Sequence, residues 1–299
     1  MDSANAASAA SPRNKSSLAQ RVISALILLP IVIGLVWWGV WPIVVLVVAA
    51  TVVGLLELYG AFAQGGYRPR VAVGIALALA LIGAVTLRAT TSLDLVMPLI
   101  TLAIVASLVF ELTRHSERGG VASWALTLAG AFYLGWLFSQ FIPLRMLSSA
   151  LRPNLFTLLG LPLDSGAAWI YLILAITWIQ DTAAYFVGKY TGRHKMAPIL
   201  SPKKTWEGAV GGLVGSVLAS VGFAVVFGLP INTAQALFLG LVGGIVGPLG
   251  DLAESMIKRQ VGLKDAGNLI PGHGGILDRA DSLLFTGPVL YYLIKLLLV

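Results

Sequence analysis

Apolar residues run through this chain in blocks of nearly twenty, each closed by a few polar residues, from Val22 to the C-terminus. Crossing a bilayer core takes about 20 predominantly apolar residues. On that measure the pattern predicts spans over 22–41, 43–63, 71–88, 93–110, 121–142, 168–188, 209–229, 233–250 and 283–299. The expected fold class is all-α: a polytopic integral membrane protein of about nine transmembrane helices with a polar, cytoplasmic-side active-site cleft. Residues 1–17 are rich in Ala, Ser and Asn without apolar periodicity and read as a disordered tail. No small-x-small cleavage pattern follows Trp37-Trp38-Gly39, so the first span reads as retained and not as a cleaved signal. The expected division is the tail, an N-terminal set of about five helices over 18–142, and a C-terminal catalytic region over 143–299. Two cytoplasmic loops, 189–208 and 251–282, belong to that region.

Composition narrows the class further. Only 11% of the 299 residues are charged and 58% are hydrophobic, against about 25% charged in a soluble domain. Mean hydropathy is +0.89. A water-facing surface cannot be assembled from so few charges. With no cysteine, a disulfide scaffold and a Cys-ligated zinc or iron–sulfur site are excluded. The net charge of +7 has a topological origin: the tail and alternate loops carry 16 Lys and Arg, the opposite loops 3. Basic residues near span ends are retained in the cytoplasm. The asymmetry therefore puts the N-terminus and both long polar loops in the cytoplasm and the C-terminus outside, and accounts for the basic balance without nucleic acid; the expected location is the cell (inner) membrane.

The acidic residues are concentrated. Asp181, Glu207, Asp251, Glu254, Asp265, Asp278 and Asp281 are seven of 13, all within the last 119 residues, interleaved with Lys203, Lys204, Lys258, Arg259, Lys264 and Arg279. Such alternation beside a bilayer suits a polyanionic substrate held through metal ions, or a solvated loop whose charges pair with one another and with lipid headgroups. Spacing favours the former. Asp251, Glu254, Ser255 and Lys258 fall at i, i+3, i+4 and i+7 and so share one helix face, although a helix lying at the membrane interface has the same pattern. Asp278 and Asp281 are again i and i+3. Close carboxylates repel unless a cation lies between them, and Mg²⁺ prefers such oxygen ligands together with substrate phosphates.

Between these segments lies Pro271-Gly272-His273-Gly274-Gly275, whose glycines let backbone N–H groups approach a phosphate. A helix following at once would add its N-terminal dipole, while a tight connector needs the same glycines. His273 is a phosphate donor, a general base or a loop-fixing hydrogen bond. In the other loop, Ser201-Pro202 reads as N-cap and first-turn residue of a helix, with Lys203 and Lys204 in its first turn. Cations are disfavoured there unless they meet an anion or serve as a positive-inside anchor. Asp181 sits inside an apolar span and is a functional candidate by default. Glu57, near a span end, reads as a carboxylate snorkelling to the interface.

Taken together, Ser255-x-x-Lys258-Arg259, Lys264-Asp265 and Pro271-Gly-His-Gly-Gly-x-x-Asp278-Arg279-x-Asp281 resemble the signature of phosphatidate cytidylyltransferases, or CDP-diacylglycerol synthases, without departure from it. Asp181-Thr-Ala-Ala-Tyr185 and Ser201-Pro-Lys-Lys-Thr205-x-Glu207-Gly208 resemble the family as well, so the likeness covers about the last 120 residues. The resemblance implies a polytopic membrane enzyme, often a homodimer among membrane lipids. It would convert CTP and phosphatidate to CDP-diacylglycerol and pyrophosphate with Mg²⁺, with or without a second cation. On this reading Asp251, Asp278, Asp281 and Asp181 hold metal, and Asp251, Asp278, Asp281, Lys258, Arg279 and His273 are catalytic. Ser201, Lys203, Lys204, Thr205, Ser255, Lys264, Asp265, Gly272, Gly274 and Gly275 contact substrate, while Asp181 and Glu207 complete the metal shell or orient a lysine. The competing classes are a CTP-dependent lipid kinase, another lipid cytidylyltransferase and a secondary transporter. The transporter would call for paired inverted halves, and none is visible in the sequence.

Overall fold

The computed structural model describes residues 18–113, 120–263, 267 and 274–298, with side chains from residue 26 onward. The proposed N-terminal tail, Lys264, Asp265, Gly272 and His273 therefore lie outside the described residues.

The chain enters through α1 (Leu18–Trp38) and α2 (Val40–Gln64), which are separated at Gly39, a residue with φ +136°. Next come α3 (Val71–Thr91) and α4 (Val96–Glu111). The fifth apolar block is continuous over Gly120–Arg145 but not uniform. It runs as α5 (Gly120–Gly130), a π-helical segment (Ala131–Trp136), α6 (Leu137–Ser139) and α7 (Phe141–Arg145). A short α8 (Leu155–Leu158) precedes the C-terminal bundle. That bundle is α9 (Ser165–Thr191), α10 (Trp206–Val226), α11 (Thr233–Gln260) and α12 (Leu277–Leu297).

Seven helices among the described residues are long and apolar enough to cross a membrane, and the fold is that of a helical polytopic membrane protein. One shorter apolar helix, α4, stands where the hydrophobic pattern predicted a full span over 93–110, whereas α1 runs 21 residues, from Leu18 to Trp38. For α4 the cause is local. The Asp94 carboxylate accepts from Val96 N–H at 3.1 Å and starts the helix there. The membrane-facing side chains are large and apolar, with Val225 73% and Leu218 68% exposed.

Two boundaries moved in the direction that matters for chemistry. The apolar pattern ended one span at 250 and began another at 283, although polar spacing already marked helical faces at 251–258 and 278–281 between them. Instead α11 continues unbroken to Gln260, and α12 begins at Leu277. The polar residues of 251–258 keep a helical period, and Lys258 and Arg259 in the last turn suit the negative end of the helix dipole. Hydropathy alone loses sight of a helix once it leaves hydrocarbon.

Small residues set how closely the C-terminal helices approach, as expected where lipid removes the hydrophobic drive between helices and packing must replace it. A Cβ on Gly211 or Gly215 would run into Val187 or Ala183 of α9. One on Gly240 would meet Val217 of α10 at 2.6 Å. At Gly250 a Cβ would overlap the Asp281 carbonyl oxygen, so α11 and α12 touch backbone to backbone beside Asp251. At the opposite end of α9, Arg145 grips Asp164 through two bonds of 2.6 and 2.7 Å and donates to Val36 O at 2.9 Å. This fixes the start of α9 against the N-terminal helices.

Candidate active site

The site is assembled from the ends of α9, α11 and α12 and from a hairpin between α9 and α10. That hairpin corrects one reading. Ser201–Thr205 is a β-strand (β2), paired antiparallel with β1 (Lys195–Ala197), Lys195 opposite Thr205 and Ala197 opposite Ser201. The helix begins only at Trp206. Its cap is Thr205, 5% exposed, which accepts from Gly208 N–H at 3.2 Å, so Ser201 is not the cap. On a strand successive side chains point to opposite faces. Lys203 accordingly faces outward, while Lys204 turns in and reaches Asp251 Oδ2 at 2.7 Å and Pro248 O at 3.2 Å.

On α11, one turn carries Asp251, Glu254 and Ser255, and the next carries Lys258. Glu254 is 1% exposed. Its Oε2 accepts from Lys258 Nζ at 2.6 Å, and its Oε1, also buried, has no hydrogen-bond partner among the described residues. Ser255 donates to Asp251 Oδ1 at 3.3 Å. Across the Gly250 contact, α12 presents Asp278 and Asp281. Carboxylate oxygens of Asp251, Glu254 and Asp281 lie within 4.8 Å of one another. Three hard oxygen donors at that separation, one with a vacant buried lone pair, fit a divalent cation such as Mg²⁺.

The cluster differs from the one inferred from spacing. Glu254 joins Asp251 and Asp281, whereas Asp278 is engaged elsewhere: it accepts from Lys258 Nζ at 2.7 Å and from Gly275 N–H at 2.9 Å. Lys258 thus ties α11 to α12 through two carboxylates at once. Asp181 lies on α9 within Coulombic range of Asp251, Lys204 and Arg279. Glu207 does not reach the cluster, because its carboxylate is taken by His194, at 2.6 Å from Nδ1 and 3.2 Å from the backbone N–H. Arg279 is exposed at the start of α12.

Two further residues were not assigned to the site from the sequence. Tyr133, carried by the π-helical segment, packs edge-on against Phe285 at 6.4 Å and lies within Coulombic range of Glu254 and Asp281. Its buried hydroxyl has no hydrogen-bond partner among the described residues. A π turn shifts register within a helix and is frequent at functional sites, but no local sequence rule announces one. Glu57, read as snorkelling, instead accepts from Ile276 N–H at 3.1 Å and Leu277 N–H at 3.0 Å. The Ile276 and Leu277 amides at the start of α12 are therefore bound to a protein carboxylate. Below the carboxylates the bundle remains polar: Gln180, Ser282, Thr286 and Thr177 are buried, with Thr177 and Thr286 hydroxyls 3.1 Å apart.

Against known proteins, the model of the cytidylyltransferase family matches residues 19–297. The chain belongs to that family. It is 36% identical over 295 residues to a phosphatidate cytidylyltransferase of Synechocystis, covering 93% of this chain and 97% of that one. A phosphatidate cytidylyltransferase of Bacillus subtilis is 42% identical over 171 residues, 57% of this chain and 58% of its own length. The chloroplastic phosphatidate cytidylyltransferase 4 of Arabidopsis thaliana is 38% identical over 202 residues, 64% of this chain and 51% of its own. The family match takes in the N-terminal helices, which the signature residues alone did not reach.

Proposed function

We propose that this member of the cytidylyltransferase family is a phosphatidate cytidylyltransferase of phospholipid biosynthesis, joining CTP and phosphatidate to give CDP-diacylglycerol and pyrophosphate. One observation carries the reading. The carboxylates of Asp251, Glu254 and Asp281 converge within 4.8 Å, with a buried Glu254 oxygen unpaired among the described residues and the ammonium groups of Lys204 and Lys258 alongside. A site so charged at the end of membrane helices suits the meeting of a nucleotide and an anionic lipid.

In the reaction a phosphate oxygen of phosphatidate attacks the α-phosphorus of CTP, and the bond from that phosphorus to the β-phosphate oxygen breaks. Two anions must approach, so catalysis rests on positioning and charge neutralisation. A phosphate monoester already presents an ionised oxygen near neutrality, and no general base is required. Asp251, Glu254 and Asp281 would hold the cation, with Asp181 beside them. Bound there, Mg²⁺ would supply positive charge to the triphosphate and to departing pyrophosphate. Lys204 reaches into the cluster from β2, and Lys203 and Arg279, exposed at its rim, would take the outer phosphate oxygens. Asp278 keeps Lys258 in place. Ser201, Ser255, Thr205, Gly274 and Gly275, with Lys264, Asp265 and Gly272 of the connecting segment, remain in the proposal as substrate contacts, and His273 as a catalytic residue, on the strength of the signature.

The remaining expectations form part of the same proposal: about nine spans, an inner-membrane location, and a cytoplasmic N-terminus and active site. The 16 to 3 distribution of basic residues supports the orientation. A homodimer rests on the resemblance alone and is tested by the mass of the solubilised protein. The deciding experiment supplies CTP, Mg²⁺ and phosphatidate to protein purified in detergent. Lipid-dependent pyrophosphate release with CDP-diacylglycerol as product is the expected result. CDP with a phosphorylated lipid would assign a kinase instead, and absence of any nucleotide chemistry would leave the transporter.

A further inference from the structure

The first turn of α12 has no cap of its own. Ile276, at the N-cap position, has no side chain that can accept a hydrogen bond, and the turn's free N–H groups need acceptors. They find them 219 and 220 positions away in the chain, in the two carboxylate oxygens of Glu57 on α2. A carboxylate suits that position twice over, accepting both amides and meeting the positive end of the helix dipole.

The same end of α2 touches the α11–α12 connection at three points. A Cβ on Gly65 would stand 2.7 Å from Val261, the residue that closes α11. Cβ atoms on Gly267 and Gly275 would each stand 2.5 Å from a Glu57 carboxylate oxygen. The glycines thus let the backbone at 267 and 275 come close to the carboxylate. Asp278 and Asp281 sit one and four residues beyond Leu277 on the same rigid helix. Their depth against Asp251 and Glu254 follows from where that first turn is held.

We propose that Glu57 is a positioning residue for the transferase site: it acts through the Ile276 and Leu277 amides to set α12 so that Asp281 meets Asp251 and Glu254. This rests on the reaction proposed above. It gives the N-terminal helices an indirect part in catalysis, without contact to substrate.

The test compares the full-length protein with Glu57→Ala and Glu57→Gln in detergent, following pyrophosphate release, KM for each substrate, thermal unfolding, and amide exchange of the segment 274–277. In Glu57→Ala, kcat/KM for CTP falls by roughly 100-fold, the scale of an ångström-level misplacement. KM for phosphatidate stays unchanged and exchange at Ile276 and Leu277 rises. Glu57→Gln, isosteric and retaining one acceptor, lies between. Wild-type kinetics in either variant overturn the proposal. So does a loss of activity that only tracks the loss of folded protein, since a purely structural cap would behave that way. If Glu57→Ala does not fold, Glu57→Gln carries the decision. A wild-type protein inactive on phosphatidate would sink the reaction itself, whereas an active wild type with indifferent Glu57 variants would sink this inference alone.

Discussion

Glu254 and Lys258 are the residues on which the charge balance of the site turns. Glu254 is the most deeply buried of the three clustered carboxylates, and one of its oxygens has no hydrogen-bond partner among the described residues. Glu254→Gln keeps the shape and removes the charge. Mg²⁺-dependent turnover should fall by roughly 100-fold or more, since a cation's stabilisation of developing charge is worth several kcal/mol. Near-normal dependence on Mg²⁺ in that variant would take Glu254 out of the cation site. Lys258 is the converse case. Replacing it by Met strands Glu254 and Asp278, with side chains 1% and 8% exposed, without their shared partner. Breaking such a buried arrangement costs about 3–5 kcal/mol, to be read as a lowered unfolding free energy in detergent. An unchanged value would mean that water reaches the pair freely. Sequence spacing had put Asp251 with Glu254, and Asp278 with Asp281, each on one face of a helix, and the structure has them so. It could not say which acid of each pair looks across the interface. A 3.6-residue period orders the side chains around one helix, but the rotation of that helix against its neighbour is set by packing from both sides.

Among the elements, the α11–α12 contact decides whether the acids meet. Gly250 allows the two backbones to touch, and Gly250→Val would force them apart at the level of Asp281. Overpacking of this kind costs typically ~1–3 kcal/mol, so the expected variant is folded but inactive in pyrophosphate release. Activity close to wild type would show that the helices tolerate separation. The apolar blocks made the helices legible, because hydrocarbon demands length and composition that few other structures share. The β1–β2 hairpin was not legible. Ser201-Pro202 mimics a helix start, and the true start, Thr205, lies four residues on and works through the same type of hydroxyl cap. The consequence for Lys204 is large: as a strand residue it points to Asp251, whereas a first-turn helical position would have set it against the dipole.

For the molecule as a whole, the basic asymmetry predicts a sidedness that chemistry can read, and the lack of cysteine makes the reading clean. In sealed inside-out vesicles Lys203→Cys should react with a membrane-impermeant maleimide. Leu158→Cys, 83% exposed between α7 and α9, should react only in right-side-out vesicles. Both labelling from one side would overturn the topology. What no local pattern could disclose is the pairing of α2 with the start of α12, since a bond between residues 219 positions apart leaves no trace in the spacing of either segment. That pairing also bears on biogenesis. The second helix is already inserted when the ribosome is still far from residue 276, so its carboxylate waits through the synthesis of most of the chain. The last helix to emerge must find it. A nascent chain arrested before α12 would carry Asp251 and Glu254 but lack Asp281 and so be inert, and co-expressed halves cut between α7 and α9 would regain function only if they also dock across this junction.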